Sequence, residues 1–138
     1  MSKIIYILAP MDGVTDVAFR QMIAKATPPD LFFTEFVNVD GLQSRGRPRL
    51  MHKLSMGPKG SNLVAQIWGK TPENYYKTAS DIVKMGFAGI DINMGCPVKN
   101  VVSSGCCSAL INHRSLALEI IKATKAGANG KIPVSVKT

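Results

Sequence analysis

Short apolar runs alternate with amphipathic segments along the chain. Residues 4–8 form an apolar run of strand length. Residues 16–26 carry Phe19, Met22, Ile23 and Ala26 at helical spacing, with Thr15 or Asp16 as the N-cap. Residues 31–36 read as a second strand, 63–67 as a third, 89–93 as a fourth and 134–137 as a fifth. Between the second and third, residues 41–53 read as a loop with a short helix that Pro48 breaks. After the third strand, Thr71 predicts an N-cap, Pro72 a first helical position and Glu73 a favourable first-turn charge. Tyr75, Tyr76, Ala79, Ile82 and Val83 give that helix its apolar face, and Gly86 stops it. Ser115 is the expected cap of a last helix whose face is Leu116, Ala117, Ile120, Ile121 and Thr124.

Strand, helix, strand, helix implies parallel strands joined by right-handed crossovers. A doubly wound sheet and a (β/α)₈ barrel both fit. The first strand-to-helix turn decides between them. A dinucleotide fold would carry G-x-G-x-x-G there, and this chain has Ala9-Pro10-Met11-Asp12-Gly13. Chemically capable residues also follow several strands: Met11, Glu35 with Asn38, Gln66, Asn93 with Cys96, and Lys137. Distribution over successive strand ends is the habit of a TIM barrel, an α/β fold. A whole barrel needs about 250 residues, or roughly 30 per βα unit. The 138 residues therefore predict the first four or so βα units plus a fifth strand. Residues 1–138 read as the N-terminal portion of a catalytic barrel, without its later strands.

Composition narrows the picture a little. The chain is 46% hydrophobic and 19% charged, which suits a globular domain and excludes a disordered one. Its apolar runs are too short to span a bilayer, and no secretory signal is evident, so a cytoplasmic protein without membrane contact is expected. The formal net charge is +8. A solvated basic surface and a polyanionic partner explain that charge equally well. The three cysteines, Cys96, Cys106 and Cys107, make a poor disulfide framework and read as reduced thiols.

Cys96 follows Ile90-Asp91-Ile92-Asn93 in a loop where Gly95 permits a sharp turn and Pro97 stiffens the exit. A thiol there can give up a proton, since its ordinary pKa of about 8.5 keeps it protonated near neutrality. Taken alone, a cysteine is more often a small buried hydrophobe. Gln66 offers a donor and an acceptor together, which suits the uracil-like edge of a flavin ring. Lys137 could stabilise negative charge on a reduced flavin. Each also has a plain reading, as a polar strand end and a surface lysine.

The ordered blocks carry more weight than any one residue. Ala9-Pro10-Met11-Asp12-Gly13-Val14-Thr15-Asp16 with Phe19-Arg20, then Thr34-Glu35, Gln66-Ile67-Trp68-Gly69, Asp91-Ile92-Asn93-Met94-Gly95-Cys96-Pro97 and Val136-Lys137, resemble the signatures of tRNA-dihydrouridine synthases. That resemblance implies an FMN enzyme that reduces uridine to 5,6-dihydrouridine in tRNA, with NADPH as reductant. It implies that Pro10, Met11 and Asp12 pack against FMN, that Gln66 hydrogen-bonds its ring and that Lys137 lies by its electron-rich side. It makes Cys96 the proton donor, and Asn93 a residue that helps hold the target uracil. A C-terminal RNA-binding domain is implied as well, beyond this sequence.

Cys106 and Cys107 depart from the small residues usual in that family near Gly105, and packing replacements are expected. A metal site built from Cys96, Cys106, Cys107 and His113 matches no common zinc spacing, so no metal is expected. Arg45, Arg47, Arg49, Lys53 and Lys59 form a basic loop region, either solvated or in contact with tRNA phosphates, and Lys99 could touch RNA near the target base. Trp68, Tyr75 and Tyr76 read as packing residues, and His52 and His113 receive no role. Two rival functions remain open: a flavin barrel acting on a free pyrimidine, and a catalytically incomplete RNA-binding fragment.

Overall fold

The computed structural model describes residues 4–57 and 62–138. All strand pairings are parallel, and the sheet runs β1 (Ile7–Leu8), β2 (Leu31–Phe33), β4 (Leu63–Trp68), β5 (Gly89–Asn93), β6 (Val134–Lys137), with β3 (Val37–Asn38) also paired to β4. The helices are α1 (Val17–Ala26), α2 (Val39–Leu42), α3 (Arg47–Leu50), α4 (Pro72–Met85), α5 (Lys99–Ser103) and α6 (Arg114–Ala128), and 3₁₀ turns cover Met51–Leu54 and Cys107–Asn112. This is an α/β fold, a curled parallel half-barrel, as the alternation predicts.

Strand alternation separates two environments. Ala65, Ile67, Ile90 and Ile92 face the helices and join Tyr75, Ala79, Ile82 and Ile120 in the buried core. The intervening residues Gln66, Asp91 and Asn93 are buried polar groups in the same two strands. α4 and α6 pack closely because Gly127 has no side chain: a Cβ there would collide with the carbonyl of Tyr76. Tyr75 is buried in that interface, whereas Tyr76, expected on the apolar face, is half exposed. The two sheet edges, β1 and β6, leave Ile7 and Val136 open to solvent.

Several boundaries differ from the sequence reading. The first strand is confined to Ile7–Leu8. The second is interrupted: Phe33 pairs with Val64 and Val37 with Ile67, so four steps on one strand oppose three on the other. That extra residue is a β-bulge at 34–36. Thr34 stabilises it by accepting the backbone N–H of Gln66 on Oγ1 at 3.1 Å, where a ladder carbonyl would ordinarily serve. Pro48 does not break a helix but occupies the first turn of α3, where its missing N–H costs nothing. Thr71 is the N-cap of α4 without a side-chain cap bond, and its carbonyl instead accepts from Asn74 and Tyr75. α6 starts one residue before Ser115, because the 3₁₀ turn ahead of it delivers His113 to the cap position.

Candidate active site

Residues on or just after β1, β2, β4, β5 and β6 build the site. After β1, the Pro10–Thr15 turn is pinned from within and without. Met11 accepts the N–H groups of Val14 and Thr15 at 3.2 and 3.0 Å, and its own N–H donates to Thr15 Oγ1 at 3.0 Å. The bulge turns the buried Glu35 toward this turn, where Oε1 accepts from Gly13 N–H at 2.8 Å. Gly13 has φ +70°, a conformation that favours glycine. Lys53 completes the arrangement by pairing with Asp12 and lying 3.6 Å from Glu35. Beneath it, the Arg20 guanidinium is buried and donates to the carbonyls of Thr15 and Ser55, both at 2.5 Å. Burial lowers the Arg20 pKa, against the raising influence of Glu35 and Asp16.

Gln66, Asp91 and Ser135 stand side by side in register across β4, β5 and β6. Gln66 Nε2 donates to Asp91 Oδ2 at 2.7 Å, and Ser135 Oγ donates to Asp91 Oδ1 at 2.6 Å. On its other side Gln66 Oε1 accepts from Asn93 Nδ2 at 3.2 Å. Asn93 Oδ1 then accepts the backbone N–H groups of Gly95 and Cys96, each at 3.1 Å. A continuous polar line thus runs from the sheet to the cysteine turn. Gly95 is required for space rather than for an unusual backbone angle. A Cβ there would stand 2.6 Å from the Thr138 carbonyl carbon, because Met94 N–H bonds the Lys137 carbonyl at 2.8 Å and draws the turn against β6.

Cys96 is half-buried at the end of β5, whereas Cys106 and Cys107 are buried. The Cys96 carbonyl accepts from Ser108 N–H at 3.4 Å, which brings Cys107 beside it. The Cys107 thiol is pushed up to about 12, first by burial and then by its sulfur neighbours. Cys107 also has φ +53°, a region that suits the small residues expected there better than it suits cysteine. Among the described residues, no group of three or more His, Cys, Asp or Glu side chains is arranged to hold a metal ion.

A cavity of ≈ 330 Å³ opens between the ends of the sheet, lined among others by Ile7, Pro10, Phe33, Asp91, Ser135 and Lys137. Lys137 is paired in register with Asn93, so the predicted residues Pro10, Asn93 and Lys137 converge on one end of the half-barrel with Cys96. Gln66 is fully buried behind them. Met11 is exposed on the turn, and Asp12 is held by Lys53.

The basic residues divide. Arg45, Arg49 and Lys99 are exposed. Arg47 instead pairs with Asp81 of α4 at 2.8 Å, and Lys53 is turned to Asp12 and Glu35. Lys59 lies outside the described residues. Sequence reasoning passed over Thr15, Asp91 and Ser135 as site residues. For Asp91 and Ser135 the signal was polarity at positions alternating with apolar ones inside strands, readable only once the strand register is known, whereas Thr15 lies in a turn and acts through its bonds to Met11.

A family model described as dihydrouridine synthase matches residues 7–138. A protein named probable tRNA-dihydrouridine synthase from Staphylococcus aureus (strain COL) is 47% identical over 134 residues, which is 96% of this chain and 40% of that protein. Probable tRNA-dihydrouridine synthase 2 from Bacillus subtilis (strain 168) is 45% identical over the same extent. The chain spans 40% of the length of these relatives. No helix among the described residues is long and apolar enough to cross a membrane. The ordered blocks, the half-barrel and the match over residues 7–138 agree, and the chain belongs to the dihydrouridine synthase family.

Proposed function

We propose that this chain is the N-terminal portion of the catalytic barrel of an FMN-dependent tRNA-dihydrouridine synthase, with Cys96 as proton donor. Later barrel strands and a C-terminal RNA-binding domain would lie beyond it. The observation that carries the reading is the Cys96 turn, held by the Asn93 carboxamide at the end of β5 beside Lys137.

The residues around the cavity suit a flat ring. Ile7, Phe33 and Pro10 offer apolar walls, and Lys137 brings a positive charge to the same space. After its bonds to Asp91 and Asn93, Gln66 retains one amide hydrogen and one carbonyl lone pair; being fully buried behind the cavity, it would meet a ring edge only through a shift of its side chain. Met11 and Asp12 belong to the pinned turn next to Pro10 and would fix the ring's position from that side. When bound, FMN would supply the hydride chemistry at uracil C6, with NADPH as the reductant.

Negative charge then builds toward uracil C5 and O4. The Cys96 thiol delivers its proton from Sγ to C5, and solvent restores it afterwards. Asn93 has one amide hydrogen left after its bond to Gln66, and that hydrogen would hold the uracil edge. Reaching this position requires the base to leave the tRNA stack. Arg45, Arg49 and Lys99 are exposed cations for the phosphates. Arg47 would contribute only by dividing its charge with Asp81.

The test uses the full-length protein, NADPH and unmodified tRNA. Dihydrouridine should appear, and Cys96→Ala should lose it severely while keeping bound FMN. Unchanged turnover in that variant overturns the proton-donor role, and a colourless wild type inactive on every tRNA overturns the function.

A further inference from the structure

We infer that Asp91 is a positioning residue: its carboxylate fixes the direction of the Gln66 and Asn93 amides and so holds the Cys96 turn in place. The inference rests on the proposed role of Cys96, and it assigns work to a buried carboxylate that the mechanism above does not use.

The argument is one of donor and acceptor parity. An ionised carboxylate only accepts hydrogen bonds. Facing Asp91 Oδ2 at 2.7 Å, Gln66 must present Nε2, which sends Oε1 toward Asn93. A carbonyl oxygen also only accepts, so Asn93 must present Nδ2 to Gln66. Its Oδ1 is thereby turned to the Gly95 and Cys96 N–H groups, which only donate. The reversed direction would set carbonyl oxygen against carboxylate at one end and N–H against N–H at the other. Gln66, Asp91 and Asn93 are all buried, so a mismatch would leave polar groups unpaired there, although Asp91 borders the cavity and Ser135 is exposed. Ser135 occupies the second carboxylate oxygen at 2.6 Å and keeps Asp91 from rotating away.

The same parity yields variants with distinct outcomes. Asp91→Asn still offers Gln66 an acceptor, and its amide can donate to Ser135 Oγ. The line survives. Asp91→Ala leaves Gln66 Nε2 without a partner and removes the carboxylate end of the line, so that only the Gly95 and Cys96 N–H groups still select the direction and the Gln66 amide loses its anchor. Gln66→Glu places carboxylate against carboxylate. Gln66→Glu with Asp91→Asn restores agreement. The amide introduced at position 91 can donate to the carboxylate introduced at position 66, while Asn93 continues to donate on the other side.

The experiment is done on the full-length protein, reading dihydrouridine formation and, separately, the rate at which iodoacetamide alkylates Cys96, followed by peptide mass spectrometry. Asp91→Ala should lower kcat by something of the order of 100-fold, as misplacing a reacting group by about 1 Å can do, with KM for tRNA little changed. Its Cys96 should alkylate about tenfold faster, the factor matching one lost hydrogen bond's restraint. Asp91→Asn should return both readouts close to wild type. The Gln66→Glu variant should alkylate fast and the double variant slowly. An Asp91→Asn variant as impaired as Asp91→Ala, wild-type alkylation in Asp91→Ala, or a double variant no slower than Gln66→Glu overturns the inference. The alkylation arms need no substrate, so they decide on Asp91 even where the wild type makes no dihydrouridine. The Gln66 pair decides it even where Asp91→Ala does not fold.

Discussion

The carboxamide oxygen of Asn93 accepts the backbone N–H of Cys96 at 3.1 Å, three residues along the chain. That oxygen also takes the N–H of Gly95, so one side chain orders the whole turn. Asn93→Ala should leave two backbone donors and the Gln66 carbonyl unsatisfied. A loss of about 1–3 kcal/mol per truly buried group follows, less where the turn meets solvent. Dihydrouridine formation should fall further than stability does. Asn93→Asp keeps the acceptor for the turn but sets a carboxylate oxygen against Gln66 Oε1, so it should recover the turn and not the stability. Thermal denaturation and product assay, run on the same two variants, check the difference.

Arg20 is a second fixed point, remote from the thiol. Its guanidinium ties the Pro10–Thr15 turn to Ser55 through two carbonyls; the bond to Thr15 is buried and the bond to Ser55 partly so. Arg20→Met should fill the volume yet strand those carbonyls, for a loss of about 3 kcal/mol in unfolding free energy. Lysine should not rescue it, because a single ammonium lacks the fork that reaches both oxygens. Chemical denaturation with urea measures this. A shift within error in either variant would remove Arg20 as the clamp of that turn.

The strands around Cys96 were legible in the sequence because Ile90, Ile92, Val134 and Val136 alternate with polar residues over segments bounded by turns. β5 and β6 are found at the expected residues, and α4 ends at Gly86 as its stop signal predicts. The bulge at 34–36 was not legible. It depends on Thr34 bonding a residue 32 positions away, which no local pattern encodes. The short α5 and the 3₁₀ turn over Cys107–Asn112 were missed for a related reason. They are too short to show a period, and they rest on contacts such as the Cys96 carbonyl to Ser108. Cys96, Asn93 and Lys137 were singled out by their blocks, and the fold brings them to one end of the half-barrel. Asp91 stood within a block and was still passed over, because its meaning lies in the cross-strand neighbours Gln66 and Ser135.

Cys107 gives the fold an alkaline weakness. Its folded-state pKa is raised to about 12, above that of an unfolded thiol, so the native state holds a proton that the unfolded state releases first. Stability from this group is fully present below the unfolded value of about 8.5 and is lost as pH rises toward 12. Tyr75, raised by burial and by both neighbouring thiols, acts in the same direction at higher pH. Cys107→Ala should flatten the fall in denaturation midpoint between neutral pH and about pH 10.5, where the unfolded thiol is ionised. An equally steep fall in that variant would assign the alkaline loss to other groups.

Among the described residues, the basic loop separates into the exposed Arg45 and Arg49 and the Asp81-paired Arg47, and under the proposed function that division predicts how tRNA affinity would respond to salt. Arg45 and Arg49 are exposed, whereas Arg47 is bonded to Asp81 with 40% and 31% of the two side chains open to solvent. Each arginine that neutralises a phosphate releases counterions, adding roughly 0.7–0.9 to the slope of log affinity against log salt. Arg45→Ala with Arg49→Ala should therefore lower that slope by about 1.5 and weaken every tRNA alike, since phosphate contacts carry no sequence information. Arg47→Ala should leave the slope nearly unchanged. Its cost should appear in stability instead, at about 0–1 kcal/mol for a half-exposed pair. Filter binding of unmodified tRNA across a salt series, with denaturation of the same variants, distinguishes the two classes. A slope change from Arg47 equal to that from Arg45 would mean that the Asp81 pair opens when RNA binds.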